Sequence, residues 1–252
     1  MTEQVCVELA GVGVSRGNTV VVDQVDLRIL AGECVGLVGP SGAGKSTLIG
    51  TMNTSLAPVH GMLRLFGVDP WQIPEGERRQ LRRRIGTVHQ DLHLPGPLRV
   101  VHNVNAGHLG QWSTRKALYS LVRPVGVDQA RAALATLGVE RLLWRRTDEL
   151  SGGERQRVAL ARLMVQGAEL LLADEPTASL DPARADDVVR AFTDHARRHA
   201  NALVISMHSF ELARRYCDRL IGMRAGSIVF DLPASHVDDA RAALLYQLQP
   251  TQ

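Results

Sequence analysis

Val5, Val7 and Leu9 alternate with polar or small residues near the start of the chain. That two-residue period predicts a strand with one buried face. Val20 to Val22 and Leu27 to Leu30 extend the β pattern, with Gly17-Asn18 as a turn signal before them. Cys34 to Val38 (CVGLV) is a short, valine-rich apolar run, the composition of a parallel strand covered on both faces. From Ser46 the spacing changes. STLIGTMNTSL is compatible with a helix and predicts one that ends before Pro58. Gly61 to Gly67 and Ile85 to Val88 predict two more strands. Between them lies a polar segment, Pro70 to Arg84, with two prolines and then a charged run.

Residues 91–166 read as mostly helical. Alanine- and leucine-rich amphipathic runs such as Gln129 to Leu137 recur there, and β-branched clusters are few. Strand and helix then alternate: LLLAD (170–174) predicts a strand, Pro182 to His199 a helix, ALVIS (202–206) a strand and Ser209 to Arg215 a short helix. RLIGMRAGSIVFD predicts a hairpin turning at Gly226, and Asp238 to Leu248 an amphipathic helix. Such alternation implies a layered α/β sheet with right-handed crossovers, carrying an inserted helical segment.

A chain of 252 residues, 45% hydrophobic and 22% charged, can build a core without covalent staples. Its 29 basic and 26 acidic residues leave a net charge of +3. That is too mild to point to nucleic acid, whose binders concentrate basic side chains on one face. Cys6, Cys34 and Cys217 lie far apart with no zinc spacing. They read as small buried hydrophobes in a reducing compartment. The first residues have no signal-peptide pattern, and no run approaches the roughly 20 apolar residues that cross a bilayer. The expectation is a soluble chain that leaves any membrane crossing to other subunits.

Gly39 to Ser46 (GPSGAGKS) fits the spacing G-x-x-x-x-G-K-S/T. Glycines let the backbone turn tightly and aim successive N–H groups at phosphate oxygens. The following helix N-terminus, partly positive, favours the same anion. Gly39, Pro40, Ser41, Gly42, Ala43, Gly44, Lys45, Ser46 and Thr47 are therefore the expected ATP contacts. Lys45 would reach the β- and γ-phosphates, and the Ser46 hydroxyl would meet Mg²⁺. LLLADE (170–175) is an apolar strand ending in two acids, at the strand end where α/β proteins hold ligands. Asp174 is the expected holder of hydrated Mg²⁺, and Glu175 the group that polarises the attacking water.

LSGGERQR, Leu150 to Arg157, resembles the signature sequence of ATP-binding cassette (ABC) proteins. With GPSGAGKS before it and LLLADEPTASLD after it, the order of motifs over nearly the whole chain is similar to that family's. The resemblance implies an α/β fold: a P-loop NTPase with a mixed-sheet core, an antiparallel β subdomain and an inserted helical subdomain. It implies a single ABC ATPase domain over 1–252. Residues 1–90 and 167–252 would form the nucleotide-binding core and β subdomain, and 91–166 the helical signature subdomain. Ser151 with Glu154 also makes a capping box before the helical run Glu154 to Met164, a second helix-start anion site. In the family this site closes on a γ-phosphate held by a partner subunit, so Ser151, Gly152 and Gly153 would act in trans.

Other roles follow from the resemblance. Gln90 resembles the glutamine that touches Mg²⁺ or the water and passes nucleotide state to a membrane partner. Asp181 resembles the residue that links two active sites. His208 resembles the switch histidine that contacts the γ-phosphate, so Glu175, His208 and Lys45 form the expected catalytic set. Arg16 stands where the family usually stacks an aromatic on adenine; a guanidinium can also stack on a ring, and Val20 or Val22 offers apolar contact instead. The run Arg78, Arg79, Arg82, Arg83 and Arg84 reads as a solvated helix face. His89, His93, His102 and His108 are too irregularly spaced for a structural metal. Trp112 and Trp144 read as core or partner-facing anchors.

NVNAGHLGQWSTRKALYSLVRP (103–124), LGVERLLWRRTDELSGGE and SFELARRYCDRLIGMRAGSIVFD resemble the ATPases of bacterial phosphonate importers. The resemblance implies an ATPase at the cytoplasmic face of the inner membrane. Its partners would be membrane-spanning permease subunits, a second copy of itself and, indirectly, a periplasmic or lipoprotein substrate-binding protein. An exporter or cell-division ATPase, an amino-acid importer and a non-enzymatic ATP-dependent clamp stay open at this point.

Overall fold

Two strands of twelve residues each open the computed structural model, which describes residues 4–246. β1 (Val5–Arg16) and β2 (Thr19–Leu30) pair antiparallel around the Gly17-Asn18 turn, and β1 pairs on its other edge with β4 (His60–Leu65). Both strands exceed the apolar runs that announced them. The reason is a phase change: Val7 and Leu9 are buried, then Val12 and Val14. The register slips between Leu9 and Val12, where Gly11 takes a positive φ of 56° and donates its N–H to Asp26. A bulge of this kind breaks the period that the eye follows along a sequence.

The larger sheet has six strands in the order β5-β6-β7-β3-β8-β9. β3 (Cys34–Val38), β5 (Ile85–Val88), β6 (Leu170–Asp174), β7 (Ala202–Met207) and β8 (Arg219–Arg224) run parallel. β9 (Ser227–Pro233) returns antiparallel to β8 through the predicted turn at Gly226. Successive side chains of the central strands enter opposite cores. Leu170 and Leu172 join the cluster under the small sheet and α1 (Lys45–Met52), while Leu171 and Ala173 join the cluster under the other helices. Burial on both faces is why these strands read as unbroken apolar runs.

α1 stops at Met52, four residues before the predicted end at Leu56. Asn53 Oδ1 accepts the N–H of Ser55 at 2.9 Å, and Thr54 turns left-handed at φ 63°, so local bonds replace the helical ladder. β4 lies one residue earlier than predicted at its start and ends at Leu65, because Phe66 takes φ 52° in a turn closed by Leu65 and Val68. The polar segment holds α2 (Glu75–Arg83), which buries only Leu81. Its basic run is largely spoken for: Glu75 pairs with Arg78, Arg79 and Arg82, and Arg84 makes a two-pronged pair with Glu169.

Between β5 and β6 the chain forms α3 (Val100–Asn105), α4 (Thr114–Val122), α5 (Val127–Thr136) and α6 (Gly152–Val165), joined by short turns. α7 (Pro182–Arg198) and α8 (Phe210–Tyr216) follow their predicted spans to within one residue at each end. α9 (Asp239–Tyr246) matches the predicted last helix as far as Tyr246; its expected end at Leu248 lies outside the described residues. Cys6, Cys34 and Cys217 are free and buried. Burial pushes the Cys6 thiol up to about 11 and the Cys34 thiol to about 12. No helix among the described residues is long and apolar enough to cross a membrane.

Candidate functional site

The loop 39–46 connects the C-terminal end of β3 to α1. Its shape requires glycine at both ends. Gly39 has φ 148°, and a Cβ there would lie 2.1 Å from the carbonyl oxygen of Met223; Gly44, at φ 101°, is the N-cap of α1. The hairpin β8–β9 supports the loop from below, Gly226 donating its N–H to Ala43 O at 3.1 Å and accepting from Asp23 N at 3.0 Å. α1 has no side-chain cap and no acid in its first turn. The N–H groups at its start therefore stay available to an anion, on the positive end of the helix dipole.

Lys45 is buried and crosses this loop, its Nζ donating to Gly39 O at 2.8 Å and Pro40 O at 3.0 Å. Burial lowers its pKa, and the negative charges of Glu175 and then Asp174 oppose that shift. The ammonium thus lies in the field of the two acids that end β6. Arg16, Val21, Ser41 to Thr47, Gln90 and Glu175 line one cavity of about 330 Å³. The structure brings the loop, Arg16, Gln90 and Glu175 together there. Val20 is exposed and Val22 is fully buried, and Val21, which the pattern did not single out, faces the cavity instead.

Asp174 and Ser206 are register partners on β6 and β7. Ser206 Oγ donates to Asp174 Oδ1 at 2.7 Å and accepts the N–H of Glu175 at 2.8 Å. Glu175 itself takes the left-handed region at φ 49°. For a non-glycine residue that conformation costs on the order of 1–3 kcal/mol and needs surrounding structure to hold it. Gln156 supplies the second hold: its Nε2 donates to Glu175 O at 3.0 Å, and its Oε1 accepts from Ser179 N at 3.3 Å. The Glu175 carboxylate meets His208 Nε2 at 2.7 Å, with the histidine half exposed and the acid largely covered.

Ser151 caps α6, completing the expected capping box: its Oγ accepts from Glu154 N, and Glu154 Oε2 accepts from Ser151 N at 3.1 Å. The backbone N–H of Ser151 holds the Glu154 carboxyl below its usual range. Ser151, Gly152 and Gly153 do not line the cavity of their own loop. A Cβ on Gly153 would come within 2.7 Å of Leu180, so this turn packs closely on the segment leading to Asp181. Asp181 is exposed and caps α7, accepting from Arg184 N at 3.0 Å.

Three residues of the site were given no role by the sequence. Ser206 is a lone hydroxyl on an apolar strand, and a buried hydroxyl must find a partner; that was the available signal. Gln156 sits inside the signature run but points to Glu175. Arg162, on the same helix, donates to Leu92 O and His93 O, both at 3.1 Å, just beyond Gln90. α6 therefore grips the Glu175 turn through Gln156 and the segment after Gln90 through Arg162.

A family model described as ABC transporter matches residues 22–178. The phosphonates import ATP-binding protein of Pseudomonas syringae pv. tomato is 45% identical over 238 residues, covering 93% of this chain and 90% of that protein. The phosphonates import ATP-binding protein of Pseudomonas entomophila is 43% identical over 240 residues, covering 95% and 91%. Among solved structures, a dimeric bacterial ABC transporter cassette superposes with a TM-score of 0.79 at 25% identity, covering 90% of this chain and 98% of that one. A post-hydrolysis state of an ATP-binding cassette, bound to ADP and Pi, superposes with a TM-score of 0.77.

Proposed function

Because the chain belongs to the ABC transporter family, we propose that it is the ATP-hydrolysing subunit of an importer for phosphonates or a related oxyanion. One observation carries the reading. Gln90 and Glu175 share a single cavity with Lys45 and the rest of the phosphate loop, and the Ser151 turn does not line it. A site so divided lacks its γ-phosphate cover until a second copy brings Ser151, Gly152 and Gly153 to it. The relatives' names supply the substrate class.

In this reading residues 1–90 and 167–252 are the nucleotide-binding core with its β subdomain, and 91–166 the helical subdomain. Backbone N–H groups of 41–47 and the ammonium of Lys45 hold the triphosphate. Arg16 and Val21 flank the base. Glu175, pinned by Ser206 and Gln156, polarises the water, and His208 fixes its carboxylate while contacting the γ-phosphate. Asp181 carries the state of one site to the other. The oxygen donors Ser46, Gln90 and Asp174 suit a hard cation, and Asp174 is buried with only Oδ1 in a hydrogen bond among the described residues. They would hold Mg²⁺, which neutralises charge on the phosphates. Closure of the pair moves the helical subdomains, and through Gln90 the permease subunits attached at the cytoplasmic face of the inner membrane. A periplasmic or lipoprotein binding protein delivers the solute.

Glu175→Gln tests the chemistry. ATP turnover should fall by roughly 10²–10⁴-fold while nucleotide binding persists. Unchanged turnover would remove Glu175 from its role. Reconstitution with the permease and binding protein tests the substrate: a phosphonate, and not an amino acid, should stimulate the ATPase.

A further inference from the structure

α4 turns its apolar side chains outward. It buries only Ser120. Leu118, Leu121 and Val122 are 61%, 56% and 89% exposed, and Tyr119 is 54% exposed. Helical geometry puts Leu118, Leu121 and Val122 on one stripe about 100° wide, bordered by Arg115 and Tyr119. Helices of globular proteins ordinarily press such a stripe into the core, and a contiguous apolar patch left outside marks a contact.

Charge says what the contact is. From Leu92 to Val127 the chain has no acidic residue, yet Arg99, Arg115, Lys116 and Arg123 fall there. Among the described residues Arg115 and Arg123 meet no carboxylate, and Lys116 lies 4.6 Å from the centroid of the Trp112 ring. The helix therefore presents aliphatic side chains and uncompensated cations side by side. An anionic bilayer surface answers both. Headgroups take the cations, the acyl boundary takes Leu118, Leu121 and Val122, and a tyrosine suits the level between them.

We propose that α4 is an interfacial anchor that lies against anionic lipid beside the permease. The inference rests on the peripheral-membrane reading above. The helix has nine residues, so attachment is weak and reversible. It gains effect where the permease already holds the subunit near the membrane, because the second contact is then intramolecular.

Flotation of the full chain with vesicles tests it, with ATP binding measured on the same preparations. At low salt the chain should float with phosphatidylcholine vesicles containing phosphatidylglycerol and not with phosphatidylcholine alone, and added salt should release it. Leu121→Asp with Val122→Asp should abolish flotation. These positions are exposed, so the fold should persist. Arg115→Gln with Arg123→Gln should weaken flotation by roughly thirty-fold, the surface attraction of two cations. All variants should keep ATP. Failure of the wild type to float with anionic vesicles, or flotation indifferent to both variants, overturns the proposal. So does a wild type that needs permease protein rather than lipid for α4 to matter. Loss of ATP binding by the wild type would instead count against the nucleotide reading.

Discussion

Ser206 shows how much a single buried hydroxyl can hold. It donates to one acid of the site and accepts from the backbone of the next. Ser206→Ala leaves the Glu175 N–H and one oxygen of Asp174 without their partner, at a cost of about 1–3 kcal/mol for the buried groups. Glu175 would then be free to leave its left-handed conformation. The expected outcome is a lower kcat with ATP affinity nearly kept, restored in part by Ser206→Thr; equal activity of wild type and Ser206→Ala would show that Gln156 alone suffices. Lys45, Asp174 and Glu175 were legible from spacing because phosphate chemistry fixes their types. Ser206, Gln156 and Arg162 were not, because their partners lie 19 to 70 residues away.

At the scale of elements, α7 and the helices of 91–166 meet over histidines. His195, in the last turn of α7, lines a cavity of about 440 Å³ with His108, His199 and Arg198. A helix C-terminus favours the imidazolium, but burial wins, with help from His199 and Arg198, and pushes His195 down to about 4 from 6.5. Burial also lowers His89, His102 and His108. Between those values the unfolded chain binds more protons than the native one, so stability rises with pH. It should be fully present above about pH 6.5 and decline toward pH 4. Thermal unfolding at a series of pH values checks this, and His195→Asn should flatten the decline. A Tm that rises on acidification would contradict the burial. The sequence placed α5, α6 and α7 to within about two residues, since amphipathic periodicity is local, but read α3 and α4 only as part of a mostly helical stretch. It missed the early stop of α1 and the length of β1 because Thr54 and Gly11 act through φ, which no apolar pattern reports.

At the scale of the molecule, the phosphate loop and the Ser151 turn do not share a cavity. Ser151, Gly152 and Gly153 do not line the loop cavity, and the proposed function has a second copy bring them to it. With Glu175→Gln to block turnover, ATP should convert the protein from one copy to two, measured by light scattering. Adding Ser151→Arg, which fills the seal with charge, should leave it monomeric with ATP still bound. A wild-type-like dimer in that double variant would place the seal elsewhere.

The sequence by itself determined the glycine loop 39–46 and the two acids that end β6, the succession of strands and helices along the chain, and the family to which they belong. It could do so because glycine loops, capping boxes and apolar runs are short-range physics. Only the tertiary structure decided that Ser206 and Gln156 clamp the Glu175 turn, that Arg162 holds the segment after Gln90, and that α4 leaves its apolar stripe outside. Those outcomes depend on which strands become neighbours and which faces find a core, and pairing across many residues is settled by packing rather than by local preference.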